Sequence, residues 1–453
     1  MLVVAHGIVG RADLPIPEEL FGAAAAAVLV VSFLALAAGW ARPRLEHVRE
    51  RPLLRIPLAV ELLLGALGVA AFAAVAYAGL AGTESQQDNL APNAVYVGFW
   101  VGIPFLSLVG GDVFRLVSPW RAIGRASGWL AGRLGGAATE SLPYPDRLGH
   151  WPAAAGILGF VVCELCWGAG QEPGTLGVLM LVYLLVQLVG MGLYGVEAWT
   201  RRGDAFGVWF GLFARLAPVG RGADGRLVLR APVAGAARLE PQAGTVALLV
   251  TGIGSTGFDG ASEGPVFNGV RDDLQDVFAS LGASIGTGLE LAFLAGLLAA
   301  IAIVGALWWL GTLGMGRPEG ARRLGRRERS RRFAHTLVPI AAAYVVAHYF
   351  SLLAYNGQDL WRLASDPLGR GSDLLGGAAS GIDYSILSAT AIWYVQVLAL
   401  VAGHVAALVL AHDRALVVYG SARGAARSQV VMLVLMVCFT LLGLLLLSAA
   451  LEG

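Results

Sequence analysis

The chain contains no lysine, so all 32 of its basic residues are arginine. Charge is scarce overall, because charged residues make up 14% of the 453 positions, whereas an ordinary soluble domain carries about 25%. The hydrophobic share is 57% and the mean hydropathy is +0.69. Several apolar runs reach the ~20 residues that a helix needs to cross a bilayer. The composition predicts an all-α, polytopic integral membrane helix bundle and disfavours a large soluble protein.

Cysteines and common catalytic motifs are also rare. The three cysteines are Cys163, Cys166 and Cys438, and an odd number within apolar runs argues against a disulfide framework. No GxxxxGK[ST] or HExxH pattern occurs, so nothing in the sequence supports a P-loop ATPase or a zinc protease. The GxSxG pattern of lipases occurs at 260–264 and 282–286, but in a chain predicted to be all-α neither match follows a strand. The segment CELC has the CxxC form, but without a partner pair it is a weak metal signal. The first residues lack the pattern of a cleavable signal, so we expect the first membrane helix to direct insertion.

Hydropathy predicts ten spans, and the positions of the arginines test that number. The spans lie at about 20–40, 56–80, 94–117, 151–168, 174–199, 244–258, 284–312, 333–355, 385–411 and 428–450. Of the 32 arginines, 28 follow the odd-numbered spans. Because positive residues collect on the cytoplasmic side, this alternation predicts a protein of the cell membrane with both termini outside.

The connections predict one membrane domain, 1–453, with two notable loops. The inner segment 201–243 is expected to hold an interfacial helix, AFGVWFGLFARL, and then a small β-hairpin around Asp-Gly. The outer segment 356–384 is rich in Gly and Asp and is expected to act as a lid. The outer loops are acidic, which either follows from the positive-inside bias or forms a funnel that attracts cations. The arginine cluster RRLGRRERSRR is interpreted as a topology signal at anionic lipid, with no nucleic-acid partner.

Polar and titratable side chains inside the apolar runs are the candidates for function, because such groups are costly in hydrocarbon. At ~1.5 Å per residue, His348 lies in the outer half of its span, level with Tyr394 and Gln396 of the next one. His404 lies about two helical turns deeper, which argues against a metal or haem shared by the two histidines. The group His412–Asp413–Arg414 is expected to anchor the inner end of a helix at the interface.

By depth, several acidic and polar residues from other spans could join His348 in the outer half. A histidine or carboxyl in this position is also compatible with a structural role, as a hydrogen-bonded packing residue. The candidate catalytic residues are His348, Glu164 and Glu290, the candidate substrate-binding residues are Tyr394, Gln396, Gln358, Asp259 and Tyr355, the candidate metal ligands are His348 and Asp359, and His404 is a secondary candidate.

Four segments resemble a known group of membrane proteins: AHGIVGRADLPIPEELF, PFLSLVGGDVFRLVSPWRAIGR, GSTGFDG and WYVQVLALVAGHVAALVLAHDRAL. They are similar to polytopic proteins of high-GC bacteria labelled fenitrothion hydrolase-like, over most of the chain. The label implies hydrolysis of an organophosphorus ester by a membrane-embedded enzyme. It assigns no catalytic residue to any position of this sequence.

Three hypotheses therefore stand at this point. The first is a membrane hydrolase acting on a small lipophilic ester, in one form assisted by a divalent metal ion. The second is a transporter for a cation or small solute that uses the same carboxylates and histidine for binding and proton coupling. The third is a structural subunit of a membrane complex, with a membrane-protein partner. In all three the lipid bilayer is the surrounding medium.

Overall fold

The computed structural model describes residues 18–45, 47–134, 141–316 and 324–449. Of residues 18–21 and 445–449 only the backbone is described. Most of the opening motif AHGIVGRADLPIPEELF, including Arg11 and Asp13, lies outside the described residues. Within the described ranges the regular secondary structure is helical apart from one small three-stranded sheet.

The first half of the chain contributes ten α-helices. One π-helix, Ala94–Gly102, continues α3 into α4, and a 3₁₀ turn, Gly168–Gln171, follows α7. The helices are α1 (Glu18–Gly39), α2 (Leu58–Ala81), α3 (Leu90–Asn93), α4 (Ile103–Gly110), α5 (Phe114–Val117), α6 (Pro119–Arg133), α7 (Trp151–Leu165), α8 (Pro173–Tyr194), α9 (Val196–Arg202) and α10 (Ala205–Ala214).

The second half contributes nine more. Two 3₁₀ turns, Ala334–Thr336 and Tyr384–Ile386, precede long helices of this half. The helices are α11 (Ala234–Ala237), α12 (Thr245–Ser262), α13 (Pro265–Ser280), α14 (Ile285–Gly314), α15 (Arg326–Phe333), α16 (Leu337–Ser365), α17 (Ala389–Tyr419), α18 (Ala422–Ser428) and α19 (Val430–Ala449).

Serine side chains begin four of these helices. The hydroxyls of Ser118, Ser284, Ser388 and Ser421 accept a backbone N–H three residues further on, at the starts of α6, α14, α17 and α18. Such caps satisfy an N–H that the helix itself leaves without a partner, and each typically contributes about 1 kcal/mol. The helix starts are therefore encoded locally.

A helix coincides with each of the ten predicted spans, but not every one qualifies as a span by itself. In the described part of the chain, seven helices are long and apolar enough to cross a membrane, or eight if α18 and α19, bent by 42°, are one span. The two others are α7, which has 15 residues, and α12, which is less apolar. The described structure thus has the helices of a multi-pass membrane protein.

Helix α12 lies at the centre of the bundle, which explains its polar composition. Thirteen of its 18 residues are buried, and it packs against α7, α14, α16 and α19. Its glycines allow close approach: a Cβ atom at Gly252 would lie 2.1 Å from the Trp209 ring, and one at Gly254 would lie 2.7 Å from the Ile301 Cα. Small residues at helix interfaces in membranes have this use. A helix enclosed by protein does not need a lipid-facing apolar surface.

The segment 201–243, which was predicted to lie on the inner side, differs from its prediction in one respect. Helix α10 is not interfacial, because eight of its ten residues are buried, and Phe206 and Phe210 pack edge-on against Phe99 of the π-helix. An all-apolar sequence of this kind suits a protein interior better than a lipid surface. The strands β2 (Val219–Arg221) and β3 (Leu227–Leu229) pair antiparallel on either side of Asp224–Gly225, and β1 (Arg51–Pro52) adds to β3.

The segment after α16, which was predicted to be an outer lid, is fixed by hydrogen bonds within itself and to the α2–α3 connection. Asp366 accepts from the Arg370 and Gly371 backbone N–H groups and from the Ser372 hydroxyl. These bonds, led by that of Ser372, lower the pKa of Asp366 to about 2. The backbone of Leu368 accepts from the Thr83 N–H at 2.9 Å, which ties the segment to the α2–α3 connection.

The contact between α12 and α14 gives a stability prediction. Gly254→Val places a side chain against the Ile301 backbone and should lower the free energy of unfolding by about 1–3 kcal/mol, as overpacking does. Gly257→Ala is the matched control on the same helix, because a Cβ there meets nothing within 4 Å. Thermal unfolding of both variants in detergent measures the difference. Equal midpoints would contradict the close approach.

Candidate functional site

A cluster of polar side chains lies where the π-helix, α7, α12 and α16 meet. Asp259 on α12 is 6% exposed, and its Oδ2 atom accepts a hydrogen bond from the Tyr349 hydroxyl at 2.8 Å. The same Oδ2 lies 2.9 Å from Nε2 of His348. His348 and Tyr349 are consecutive on α16, with their rings edge to face, so both reach one carboxylate oxygen. Two candidate residues from separate spans, Asp259 and His348, are therefore in direct contact.

The Asp259–His348 contact fits either of two proton positions. With the carboxylate ionised, Nε2–H donates to Oδ2; with the carboxyl protonated, its O–H donates to Nε2. Both forms keep the Tyr349 donor. A proton could thus pass between the two residues over 2.9 Å with little movement of the heavy atoms. Groups able to exchange a proton in this way are a feature of membrane proton relays.

Glu164 of α7 is the second carboxyl of the cluster. It lies near Asp259 and near Tyr96 of the π-helix, so a charge on Glu164 acts on both residues. Its Oε2 atom is buried and has no hydrogen-bond partner among the described residues. Leaving a buried carboxylate oxygen without a partner is costly. The π-helix at this place is notable, since such irregularities occur often at functional sites.

Other candidate residues lie near helix ends and make structural contacts. Glu290 on α14 accepts the backbone N–H of Gly168 at 2.9 Å and so holds the turn after α7. The Gln358 side chain donates to the Asp383 carbonyl and accepts from its N–H, both at 3.1 Å. The Tyr355 hydroxyl donates to the Leu387 carbonyl. Gln358 and Tyr355 therefore fix the end of the outer segment to α16.

The pair proposed as metal ligands is not brought together. Asp359 is hydrogen-bonded to Arg362, at 2.6 and 2.9 Å, and lies eleven residues, about 16 Å, beyond His348 on one helix. Within the described ranges, no group of three or more His, Cys, Asp and Glu residues could hold a metal ion. A metal held jointly by His348 and Asp359 is thus incompatible with the structure, and the residues present do not fit a divalent ion here.

The remaining candidates lie on α17. Tyr394 is 40% exposed and Gln396 is half-buried, and this helix packs along α16. His404 is fully buried at a separate place, where its Nδ1 lies 2.7 Å from the Leu400 carbonyl. The His404 ring lies 6.3 Å from that of Tyr344, which is one helical turn before His348 on α16.

Three buried polar contacts in the structure were not predicted from the sequence. Tyr349 was not included among the candidates, although its place beside His348 could have suggested it. Asp204 is 1% exposed and accepts hydrogen bonds from the Trp120 indole and the Tyr183 hydroxyl, at 2.7 and 2.8 Å. No periodic signal reveals such a contact between distant segments.

The third contact corrects the prediction that the group around Asp413 is an interfacial anchor. Asp413 is 1% exposed and accepts hydrogen bonds from the Trp40 indole and from the backbone N–H groups of Arg44 and Leu45. The neighbouring His412 Nε2 lies 3.0 Å from the Trp40 carbonyl. The group therefore fixes the connection after α1 inside the protein.

Comparison of the chain with protein-family models, with curated proteins and with solved structures finds no match. The resemblance to fenitrothion hydrolase-like proteins therefore stays a prediction.

The hydrogen bond from Tyr349 to Asp259 can be tested on stability. Tyr349→Phe removes a donor from a buried carboxylate and should lower the free energy of unfolding by about 1–3 kcal/mol. Tyr77→Phe is the control, because Tyr77 is 62% exposed on α2. Thermal unfolding in detergent compares the two variants with the wild type. A Tyr349→Phe protein as stable as the Tyr77→Phe control would contradict the bond.

Proposed function

We propose that this protein is a proton-coupled membrane transporter of small cations, in which Asp259, His348 and Glu164 bind and release the coupled proton. The observation that carries the proposal is the pair of carboxyls within one bundle interior. Asp259 is hydrogen-bonded to His348, while Glu164 beside it keeps a buried oxygen without a partner in the described chain. Such intramembrane acids and histidines are typical of proton relays.

We further propose ten crossings of the cell membrane, with both termini outside. The arginine distribution supports this topology, since 28 of 32 arginines follow odd-numbered spans. The position of α12 within the bundle accounts for its lower apolarity. Helix α7 spans about 22 Å at 1.5 Å per residue, and the 3₁₀ turn Gly168–Gln171 continues from its outer end.

Charge balance explains why the cluster would take up a proton or a cation. If both Asp259 and Glu164 are ionised, one imidazolium compensates only one of them, and a buried negative charge is left in low dielectric. A proton on either carboxyl removes that charge, and so does a bound monovalent cation. Competition between the two for one site is the basis of coupled exchange.

The outer surface beside the cluster favours cations over anions. Helix α13 begins six residues after Asp259 and packs against α12 and α14. It carries Asp272, Asp273 and Asp276, of which all three are exposed. A row of carboxylates near the entrance raises the local concentration of cations.

Proton movement in proteoliposomes tests this proposal. With a pH-sensitive dye inside, addition of Na⁺, K⁺ or tetramethylammonium outside should release internal protons in a protein-dependent way. Asp259→Asn and Glu164→Gln should each lower the initial rate at least tenfold, because neither amide can exchange a proton. Asp273→Asn, an exposed outer carboxyl, is the matched control and should keep most of the rate.

Two outcomes would reject cation exchange through this cluster. One is a proton flux of equal rate in the wild type and in Asp259→Asn. The other is the absence of protein-dependent flux with all three cations in vesicles whose protein is folded, as shown by unchanged thermal unfolding.

A hydrolase is the second candidate, and the His348–Asp259 pair favours it. When Nε2–H donates to the carboxylate, Nδ1 is the basic nitrogen of the imidazole. Gly260 lies beside this nitrogen, since a Cβ atom there would lie 3.4 Å from Nδ1. Nδ1 could take the proton of a water molecule as its oxygen attacks an ester, and return that proton to the leaving alkoxide.

Release of nitrophenolate from a nitrophenyl dialkyl phosphorothioate tests this candidate on the protein in lipid nanodiscs. Turnover should fall at least a hundredfold in His348→Ala, since general-base catalysis contributes about 10²–10⁴. His47→Ala, an exposed histidine, should be unaffected. Equal release by the wild type and His348→Ala would reject the hydrolase, and the transport proposal predicts that outcome.

A further inference from the structure

A second polar group lies in a cavity deep in the bundle, away from the outer cluster. The cavity has a volume of about 60 Å³, and its walls come from α12, α14, α16, α17 and α19 together with Thr336. The walls are apolar side chains such as Ile253, Ile340 and Met436, with few polar exceptions. His404 lines it, is 0% exposed, and has a buried Nε2 atom without a hydrogen-bond partner in the described structure.

The tautomer of His404 follows from its other nitrogen. Nδ1 lies 2.7 Å from the Leu400 carbonyl oxygen of the preceding turn. A carbonyl only accepts hydrogen bonds, so Nδ1 must carry the hydrogen that is donated. In the neutral imidazole, Nε2 is then a bare lone pair, which accepts and does not donate. An imidazole kept from water and from any counter-charge is held in the neutral form.

The other polar side chains of the wall also lack a donor for an occupant. The Thr336 hydroxyl donates to the Phe333 carbonyl at 2.8 Å, which leaves only its oxygen lone pairs. The Trp308 indole donates to the Ser330 hydroxyl at 2.8 Å. The described wall therefore offers acceptors, and a molecule that bonds to it must be a hydrogen-bond donor.

The cavity opens between α14 and α19. Its lining residues from these helices include Val304, Leu307 and Leu435, which are half-buried, whereas His404 at the inner wall is fully enclosed. In a bilayer this gap faces acyl chains. An occupant can therefore enter from the membrane, and an apolar part longer than the cavity can extend into lipid.

We infer that this cavity binds the hydroxyl end of a lipophilic alcohol dissolved in the membrane. The O–H group donates to His404 Nε2, the first carbons fill the apolar walls, and the chain leaves between α14 and α19. Ethers, esters and ketones of the same size lack the donor, so they are discriminated against. Water can donate as well, but it cannot fill the apolar remainder of the cavity.

The inference can be tested on the wild-type protein in lipid bilayers by ¹⁵N solid-state NMR of labelled histidine. Added 1-octanol should shift the Nε2 resonance of His404, because a lone pair becomes a hydrogen-bond acceptor. Its isomer heptyl methyl ether, at equal membrane concentration, should leave the resonance in place. The His404→Leu variant assigns the signal.

Two threonine variants refine the test. Thr336→Val leaves His404 Nε2 in place as the acceptor of the single octanol O–H, so the half-saturating octanol fraction should stay within about twofold of the wild type. Thr312→Val is the matched control, because its buried hydroxyl bonds to the Trp309 carbonyl on α14 outside this wall. An equal shift with ether and alcohol, or no shift with octanol in the wild type, would overturn the inference.

Discussion

The close approach of α12 to its neighbours is the constraint on which the cluster of Asp259, His348 and Tyr349 depends. No water is present in a bilayer core to satisfy polar groups, so Asp259 must find its partners within the protein. It does so because Gly252 makes room for the Trp209 side chain of α10 and Gly254 lets α12 lie directly against α14. A bulkier helix would displace Asp259 from His348 and Tyr349. The hydrogen bonds of Asp259 therefore depend on Gly252 and Gly254.

The sequence predicted helices well because hydropathy is a local property. Every predicted span coincides with a helix, and depth alone separated His348 from His404. Depth cannot report which way a side chain points around its helix. Glu164 and Asp259 face the cluster, whereas Glu290 and Gln358, at similar levels, hold turns and loop ends.

Predictions were wrong for segments whose apolar side chains are buried by other parts of the protein and not by lipid. An apolar helix such as α10 suits either environment, and nothing in its ten residues distinguishes an interface from a core. Similarly, Asp359 was grouped with His348 by predicted depth, while Arg362 three residues away was the nearer partner. Side-chain partners on different helices, such as Asp204 and Trp120, depend on packing that a single sequence does not encode in any regular pattern.

His348 and His404 illustrate how hydrogen bonding assigns different chemistry to one kind of side chain. His348 faces a carboxylate, so its bonded nitrogen can hold or give up a proton. His404 faces its own backbone carbonyl, which fixes one tautomer and leaves a permanent acceptor. The first arrangement suits a group that changes charge, and the second suits recognition of a neutral donor.

The bonds of Asp413 to Trp40, Arg44 and Leu45 have a consequence for biosynthesis. They join the segment after the first helix to a helix made more than 350 residues later, and α1 also packs against α17 and α19. During translation the first helix enters the membrane long before its partners exist. It must stay in lipid, or bound to an insertion factor, until α17 and α19 have been made. Assembly of the bundle is therefore completed by the joining of its two ends.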